Sequence, residues 1–483
     1  MTTNIEIKRS SVRILPDPRR VIARPFFPGG DDRTDAVLQR VLALSEEEVE
    51  RVLEEVRRDF ADRHRDIEDI FAANFAQAHQ RLNGQVLSER RRQLIGAYFS
   101  SEYSLESIAL FNPSLVAHPD QTDLAEGALR FLLSLRACGE GHVSSVEFRS
   151  GILAADGSIH LDVLTPFATT ERPVDDRLYH KKRFHRKLIE MGVYSPLGDV
   201  VINRLREQFT MSDLVDAIAL AEPDPQFQEV FQELTQRMMW VAHSNYHLSF
   251  HPDLPLCERV IFPVTENESR GIEDARFVRF VDDDDRVTYF GVYTAYNGFH
   301  TLPQIIETTD FLDFRISTLI GRCVQNKGMA LFPRKINGDF WMVSRLDGEN
   351  IYLLRSDHHL FWNESVLLRG PAQPWEFMQI GNCGSPIETD AGWLLLTHGV
   401  GPMRQYWLGA CLLDLADPTR VIHHLSEPIL IPQESERDGY VPNVVYSCGG
   451  IIHNDRLVLP YAVADSSTAF ASVSLDDLLS RMH

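Results

Sequence analysis

Cysteine is scarce in this 483-residue chain, and the six present stand apart. Cys138, Cys257, Cys323, Cys383, Cys411 and Cys448 make no CxxC pair and no Cys/His cluster. That spacing argues against structural zinc and against a disulfide framework. No apolar run approaches the roughly 18 residues a membrane span needs. Positive charge is in deficit: Lys and Arg number 48 against 69 Asp and Glu, a formal net charge of −21. Such a chain repels a phosphate backbone and an anionic lipid surface, so neither nucleic acid nor membrane is an expected partner. A Gly-rich phosphate loop and a Ser/His/Asp order are missing too. Asp282 to Asp285 lacks the spacing and the twelfth-position Glu of a calcium loop. Neither a metal nor an organic cofactor is expected. Met1 to Leu15 is charged and has no apolar h-region, which reads as no secretory signal and a reducing, cytoplasmic location.

The apolar content, 44% with 10% aromatics, is ample for large cores, and the length allows up to about three domains. Arg13 to Gly30 holds Pro16, Pro18, Pro25 and Pro28, which favour an extended arm, free to wrap over its own domain or over a neighbouring subunit. Ser45 with Glu48 reads as a capping box stapled by Leu44 and Val49. Val49, Val52, Leu53, Val56 and Phe60 then recur at helical spacing. A second helix carries Ile67, Ile70, Phe71 and Phe75 and ends near Asn83-Gly84. A third is expected from Ser88 towards Asn112-Pro113. Residues 1–135 therefore read as an N-terminal arm and α-helical region, whose apolar stripes are most simply packing surface and, with the arm, suggest a surface that closes over a pocket mouth or joins subunits in a homo-oligomer. After Gly139 the period falls to two, at Val146-Glu-Phe-Arg and Ile159-His-Leu-Asp-Val-Leu. A second helical stretch is expected at about 180–243, and from Ser249 the chain reads as strands and turns.

The strand region repeats weakly. Polar turns at Asp284, Asn337, Asp390 and Asn454 are spaced by 53, 53 and 64 residues, and Asp156-Gly157 adds a fifth before the helical stretch. Several strands per unit at this period fit propeller blades, five turns giving five blades, although a pair of β-sandwiches also gives regular turns. The fold expected is mainly β, a five-bladed β-propeller over 136–483 with a helical insertion at about 180–243, preceded by an α-helical block. Polar groups stand where ordinary core strands stay apolar: Tyr293, Arg345, His398 and Asp465. Around a propeller axis such groups converge on one pocket, because charges avoid burial unless paired. In Gly271-Ile-Glu-Asp-Ala-Arg276, Glu273 and Asp274 point to opposite faces if extended, so only one need enter a pocket, and Arg276 shares a face with Asp274. Asn245 and Tyr246, an amide and an aromatic face, suit contact with a pyranose.

Six motifs carry a resemblance. GIEDARFVRF followed by YTAYNG, NKGMALFPRKING, IGNCGSPIETDAGWLLLTHGV, LGACLLDLADP, GYVPNVVYSCG and LPYAVAD resemble, in order, segments of glycoside hydrolase family 130, the β-mannoside phosphorylases and mannosidases. The resemblance implies a five-bladed propeller with an axial active site. It puts Asp274 at the general acid, its proton reaching the glycosidic oxygen through a substrate hydroxyl, with a pKa raised by a dry pocket. Ala275 stands where the family has Pro. The resemblance makes Lys327 and Arg345 phosphate-binding cations, gives His398 a hydrogen bond to phosphate, water or sugar, and lets Asp465 order the pocket or a sugar hydroxyl.

Glu388 departs from the family, which tends to have a phosphate-binding lysine in that segment. A carboxylate repels phosphate but could activate water from the face opposite the acid, and Glu436 is a second candidate for that role. The reading is therefore an inverting glycosidase that cleaves β-mannosides, of the β-1,2-linked manno-oligosaccharide class, with water as nucleophile. The alternative is a phosphorylase that uses inorganic phosphate as co-substrate and releases α-mannose 1-phosphate. A carbohydrate-binding propeller without catalysis is the alternative of another class, and Asp274 argues against it.

Overall fold

A computed structural model describes residues 6–82, 85–171, 178–190, 196–221 and 227–483. Among these, the strands form five antiparallel sets of four or more strands, the first two linked into one continuous sheet by a short parallel pairing of Gly271 with Ser144. The first runs Ala109–Ala117, Leu129–Cys138, Ser144–Leu153 and Ile159–Leu161. The second runs Gly271–Val281, Val287–Tyr296, Thr301–Thr308 and Asp313–Thr318, with Tyr246–Ser249 added at its outer edge. The third is Ala330–Leu331, Phe340–Ser344, Ile351–Ser356 and Glu364–Arg369. The fourth is Gln379–Asn382, Gly392–Val400, Tyr406–Leu413 and Val421–His424. The fifth is Val445–Tyr446, Arg456–Val463 and Ser467–Ser474, completed by Lys8–Ile14 from the start of the chain.

Each sheet packs on the next, and the fifth packs back on the first. The seams are apolar. Val278, Phe290 and Trp362 join sheets two and three; Val343, Ile380 and Trp393 join three and four. Leu396, Leu408 and Leu459 join four and five, while Leu110, Leu133 and Phe470 join five and one. A ring of five such sheets is a five-bladed β-propeller. Lys8–Ile14 closes it by pairing with Ser467–Ser474, which removes an exposed strand edge. The proline-rich arm thus lies on its own propeller, and its Val21–Pro25 pairs with Ser100–Ser104.

The capping box at Ser45 forms as expected and opens the helix Glu46–Phe60; Leu44 packs with Val49 in one cluster. With Asp31–Leu42, Ile67–His79 and Glu89–Tyr98 it makes the N-terminal helical block. The third helix of the sequence reading is shorter than expected. It stops at Tyr98, and Ala109–Ala117 and Leu129–Cys138 are strands of the first blade. Both strands are buried along almost their whole length, and polar residues interrupt one face of each, Asn112 and Ser114 in the first and Arg130, Ser134 and Arg136 in the second. A division at residue 135 therefore falls inside a strand. Beyond blade one, the described residues form the helices Lys181–Glu190, Pro196–Ile202, Met211–Ala219 and Gln228–His243, with their own core around Phe184, Leu234 and Met238. Four of the five turns sit between the early strands of blades two to five. The turn at Asp156-Gly157 instead joins the last two strands of blade one.

Candidate active site

The five blades meet around a cavity of about 240 Å³ that takes residues from all of them, among them Asn112, Asp274, Arg345, His398 and Asp465. Asp274 is placed by a backbone irregularity. The pairing register of its strand shifts between Glu273 and Arg276, and Asp274 has φ of 54°. That bulge corrects the alternation argument: Glu273 and Asp274 both line the cavity rather than facing opposite ways. A non-glycine residue in the left-handed region carries strain that recurs where side chains must be aimed at a ligand.

Asp274 is held on several sides. Asn112 Nδ2 donates to its Oδ1 at 2.7 Å and Arg136 Nη1 at 3.2 Å. Arg136 Nη2 also reaches Glu273 Oε1 at 3.1 Å, and the other Glu273 oxygen pairs with Lys327. Arg276 sits behind the cavity, donating to the Asp274 backbone carbonyl at 2.9 Å and to the Tyr446 hydroxyl at 2.6 Å. It holds the acid's backbone rather than its carboxylate. Burial pushes the Asp274 carboxyl up, but Arg136, Arg276, the Asn112 hydrogen bond and Lys327 together outweigh it and hold the group below its ordinary value. Asp274 is therefore ionised, contrary to the raised pKa expected of it. The raised carboxyl is Asp465, pushed up to about 7 by burial and then by the charge of Asp274, with Arg136 and Arg404 pulling the other way.

Across the cavity stand further cations. Arg345 Nη1 lies 3.4 Å from His398 Nε2, and its buried Nε has no hydrogen-bond partner. Burial, then Arg345 and Arg276, hold the His398 imidazole well below its usual pKa, so it is neutral. The ammonium of Lys327 lies over the Tyr296 ring, 5.5 Å from the centroid. Arg404 joins from a tight turn in which it and Met403 both have φ of 56°. Among the described residues no group of three His, Cys, Asp or Glu side chains is placed to hold a metal ion.

Several expected site residues lie elsewhere. Tyr246 and Tyr293 are buried in blade two, both hydroxyls donating to Glu268, at 2.9 and 2.6 Å. Neither lines the cavity, because their strand positions face the blade interior. Asn245 caps a helix end, donating to Val241 O at 2.8 Å and accepting from Thr318 N at 2.9 Å. Glu388 is 42% exposed and paired with Arg334 on the outside of blade four. Glu436 is buried, but its oxygens are taken by Arg9, Arg13, Tyr461 and the backbone N–H of Gln433. It anchors the closing strand. Neither glutamate opens into the cavity.

The family described as beta-1,4-mannooligosaccharide phosphorylase, within glycoside hydrolase family 130, matches residues 255–483. A 1,2-beta-oligomannan phosphorylase of Thermoanaerobacter sp. (strain X514) is 34% identical over 218 residues, 44% of this chain and 72% of that relative. The chain belongs to glycoside hydrolase family 130. Within the family, a beta-1,2-mannobiose phosphorylase of Listeria innocua serovar 6a is 32% identical over 229 residues, 46% of this chain and 63% of the other. The solved complex of a Listeria innocua beta-1,2-mannobiose phosphorylase with beta-1,2-mannobiose aligns with 78% of the family-130 chain and 92% of its own, at 22% identity and TM-score 0.46.

Asn112, Arg136, Arg404, Tyr406 and Tyr446 were not singled out from the sequence. Asn112 and Arg136 lie in the part of this family-130 chain outside the matched segment. Arg136 did leave a trace, one charge inside Leu-Leu-Ser-Leu-Arg-Ala, a strand that is otherwise almost wholly apolar.

Proposed function

We propose that this family-130 enzyme cleaves β-mannosides by phosphorolysis, with β-1,2-linked manno-oligosaccharides as substrate class and α-mannose 1-phosphate as product. One observation supports phosphate over water: both glutamates that could activate water are ion-paired outside the cavity. An inverting hydrolysis needs a base on the face opposite the acid, whereas phosphate, already an anion, needs none. Asp465 is the one further carboxylate in the cavity beside Glu273, and it shares the side of Asp274 and Arg136. The hydrolytic reading therefore loses the residues on which it rested.

The reaction runs as follows. Phosphate binds against Lys327 and Arg345, whose charges gather and orient the dianion, with His398 beside them. Its two negative charges cancel part of the pull that Lys327 exerts on Asp274, so the Asp274 pKa rises as the site fills. Asp274 then gives a proton, through a hydroxyl of the sugar, to the glycosidic oxygen. That bond breaks as a phosphate oxygen attacks the anomeric carbon from the opposite face, which inverts the configuration. Asp274 thus becomes an acid when the nucleophile is present, which couples cleavage to phosphate. The test is a panel of β-1,2-manno-oligosaccharides with and without phosphate. Mannose 1-phosphate formed only with phosphate supports the proposal, and free mannose released at the same rate without it overturns it.

A further inference from the structure

A second cavity, of about 520 Å³, lies between the inserted helices and the outer strands of blade two, and none of its lining residues lines the catalytic cavity. Its helical wall falls outside the segment that matches the family. That wall brings Arg183 and Lys187, two residues of the helix Lys181–Glu190; the strand Asp313–Thr318 brings Arg315, and His359 comes from blade three. One carboxylate, Glu307, lines the cavity too and meets His359 Nε2 at 3.1 Å. Three basic side chains thus share a cavity with one carboxylate, in a chain whose net charge is −21.

Lys187 is the most telling of these groups. Its side chain is buried, and among the described residues its ammonium donates to a single acceptor, the Leu319 carbonyl at 2.8 Å. An ammonium has three donors, and burying it with one of them paired is costly. Burial accordingly pushes it down to about 8, with Glu190 only partly offsetting this. Arg183 has its Nη2 on His358 at 2.8 Å, which leaves most of its donors for a ligand. Guanidinium forks and an ammonium match the oxygens of a phosphate, and the volume is that of a small-ligand site. Phe184 and Leu360 supply apolar wall for the rest of such a molecule.

We propose that this cavity binds a small phosphomonoester, a phosphorylated sugar or a nucleoside monophosphate, with its phosphate seated on Arg183, Lys187 and Arg315. The site is separate from the phosphate subsite of the catalytic cavity and does not depend on it. Calorimetric titration of the full chain with mannose 1-phosphate, adenosine monophosphate and inorganic phosphate tests this, comparing wild type with Arg315→Gln, Lys187→Met and Arg345→Gln. Saturable binding of at least one ester is expected. Arg315→Gln and Lys187→Met should each weaken it by about tenfold or more, and Arg345→Gln should leave it in place. Which ester binds tells sugar from nucleotide. Arg315 is on an exposed strand position, so its variant keeps the fold should Lys187→Met lose it. Cleavage of β-mannosides by Arg315→Gln should match wild type. Binding that vanishes only in Arg345→Gln, binding unchanged in both cavity variants, or binding of inorganic phosphate alone would each overturn the proposal.

Discussion

Replacing Arg345 by Gln separates a residue that binds the nucleophile from one that supports the fold. Arg345 is in contact with His398 at 3.4 Å, has no carboxylate partner among the described residues, and keeps a buried Nε without an acceptor. Losing it therefore breaks no ion pair within the described residues. With phosphate bound it would lose charge-assisted hydrogen bonds, each contributing about 1.5–3 kcal/mol. At about 1.4 kcal/mol per factor of ten, the KM for phosphate should rise roughly 10- to 100-fold. The melting midpoint without ligand should stay within a few degrees of wild type, and the stabilisation that wild type gains from added phosphate should disappear. Initial rates at saturating manno-oligosaccharide over a range of phosphate concentrations, with a melting curve for each protein, provide the check. A phosphate KM changed by less than about threefold, with the fold intact, would refute the assignment of Arg345 to the anion.

Further outcomes follow from the same geometry. Asp274→Asn should lower kcat at least about a hundredfold while leaving the melting midpoint near wild type; near-native turnover would remove Asp274 from the acid role. Asp465 has a native pKa of about 7, above its unfolded value, so the folded state holds an extra proton between roughly pH 4 and 7 and stability falls as pH rises through that window. Asp465→Asn should therefore raise the melting midpoint more at pH 8 than at pH 5, and an equal effect at both would contradict the burial argument. Glu388→Gln should leave cleavage within about twofold of wild type, since its partner is the surface residue Arg334. Glu436→Gln should instead cost about 1–3 kcal/mol of stability through the closing strand, read by denaturant unfolding, because it breaks buried charge pairs.

The propeller was legible because turns recur once per blade and polar residues interrupt apolar strands at the ends that meet on the axis. Asp274, Lys327, Arg345, His398 and Asp465 could be named from those interruptions together with family-like strings, and all five line one cavity. What the sequence hid is orientation and long-range contact. Glu388 misled because a string gives residue type and not direction. Ile387 packs into the seam between blades four and five, so its neighbour turns outward to Arg334, whose guanidinium lies over Trp393. Glu436 reads as a loop carboxylate in Glu-Ser-Glu-Arg-Asp-Gly, yet it is buried by Arg9, 427 residues earlier. Nothing local announces that pairing. The bulge that puts Glu273 and Asp274 in the same cavity is likewise a property of the paired strands, not of the hexapeptide.

The same bulge gives the most direct test of the central claim, that the nucleophile turns Asp274 into an acid. The ¹³C chemical shift of the Asp274 side-chain carboxyl, followed against pH with and without saturating phosphate, measures it. Asp274 should titrate below the ordinary carboxylate range in the free enzyme, as its contacts with Arg136 and Asn112 and the nearby charges of Arg276 and Lys327 require, and its midpoint should move up when phosphate binds. A midpoint that phosphate leaves unmoved, together with free mannose released from β-mannosides in phosphate-free buffer, would contradict the account.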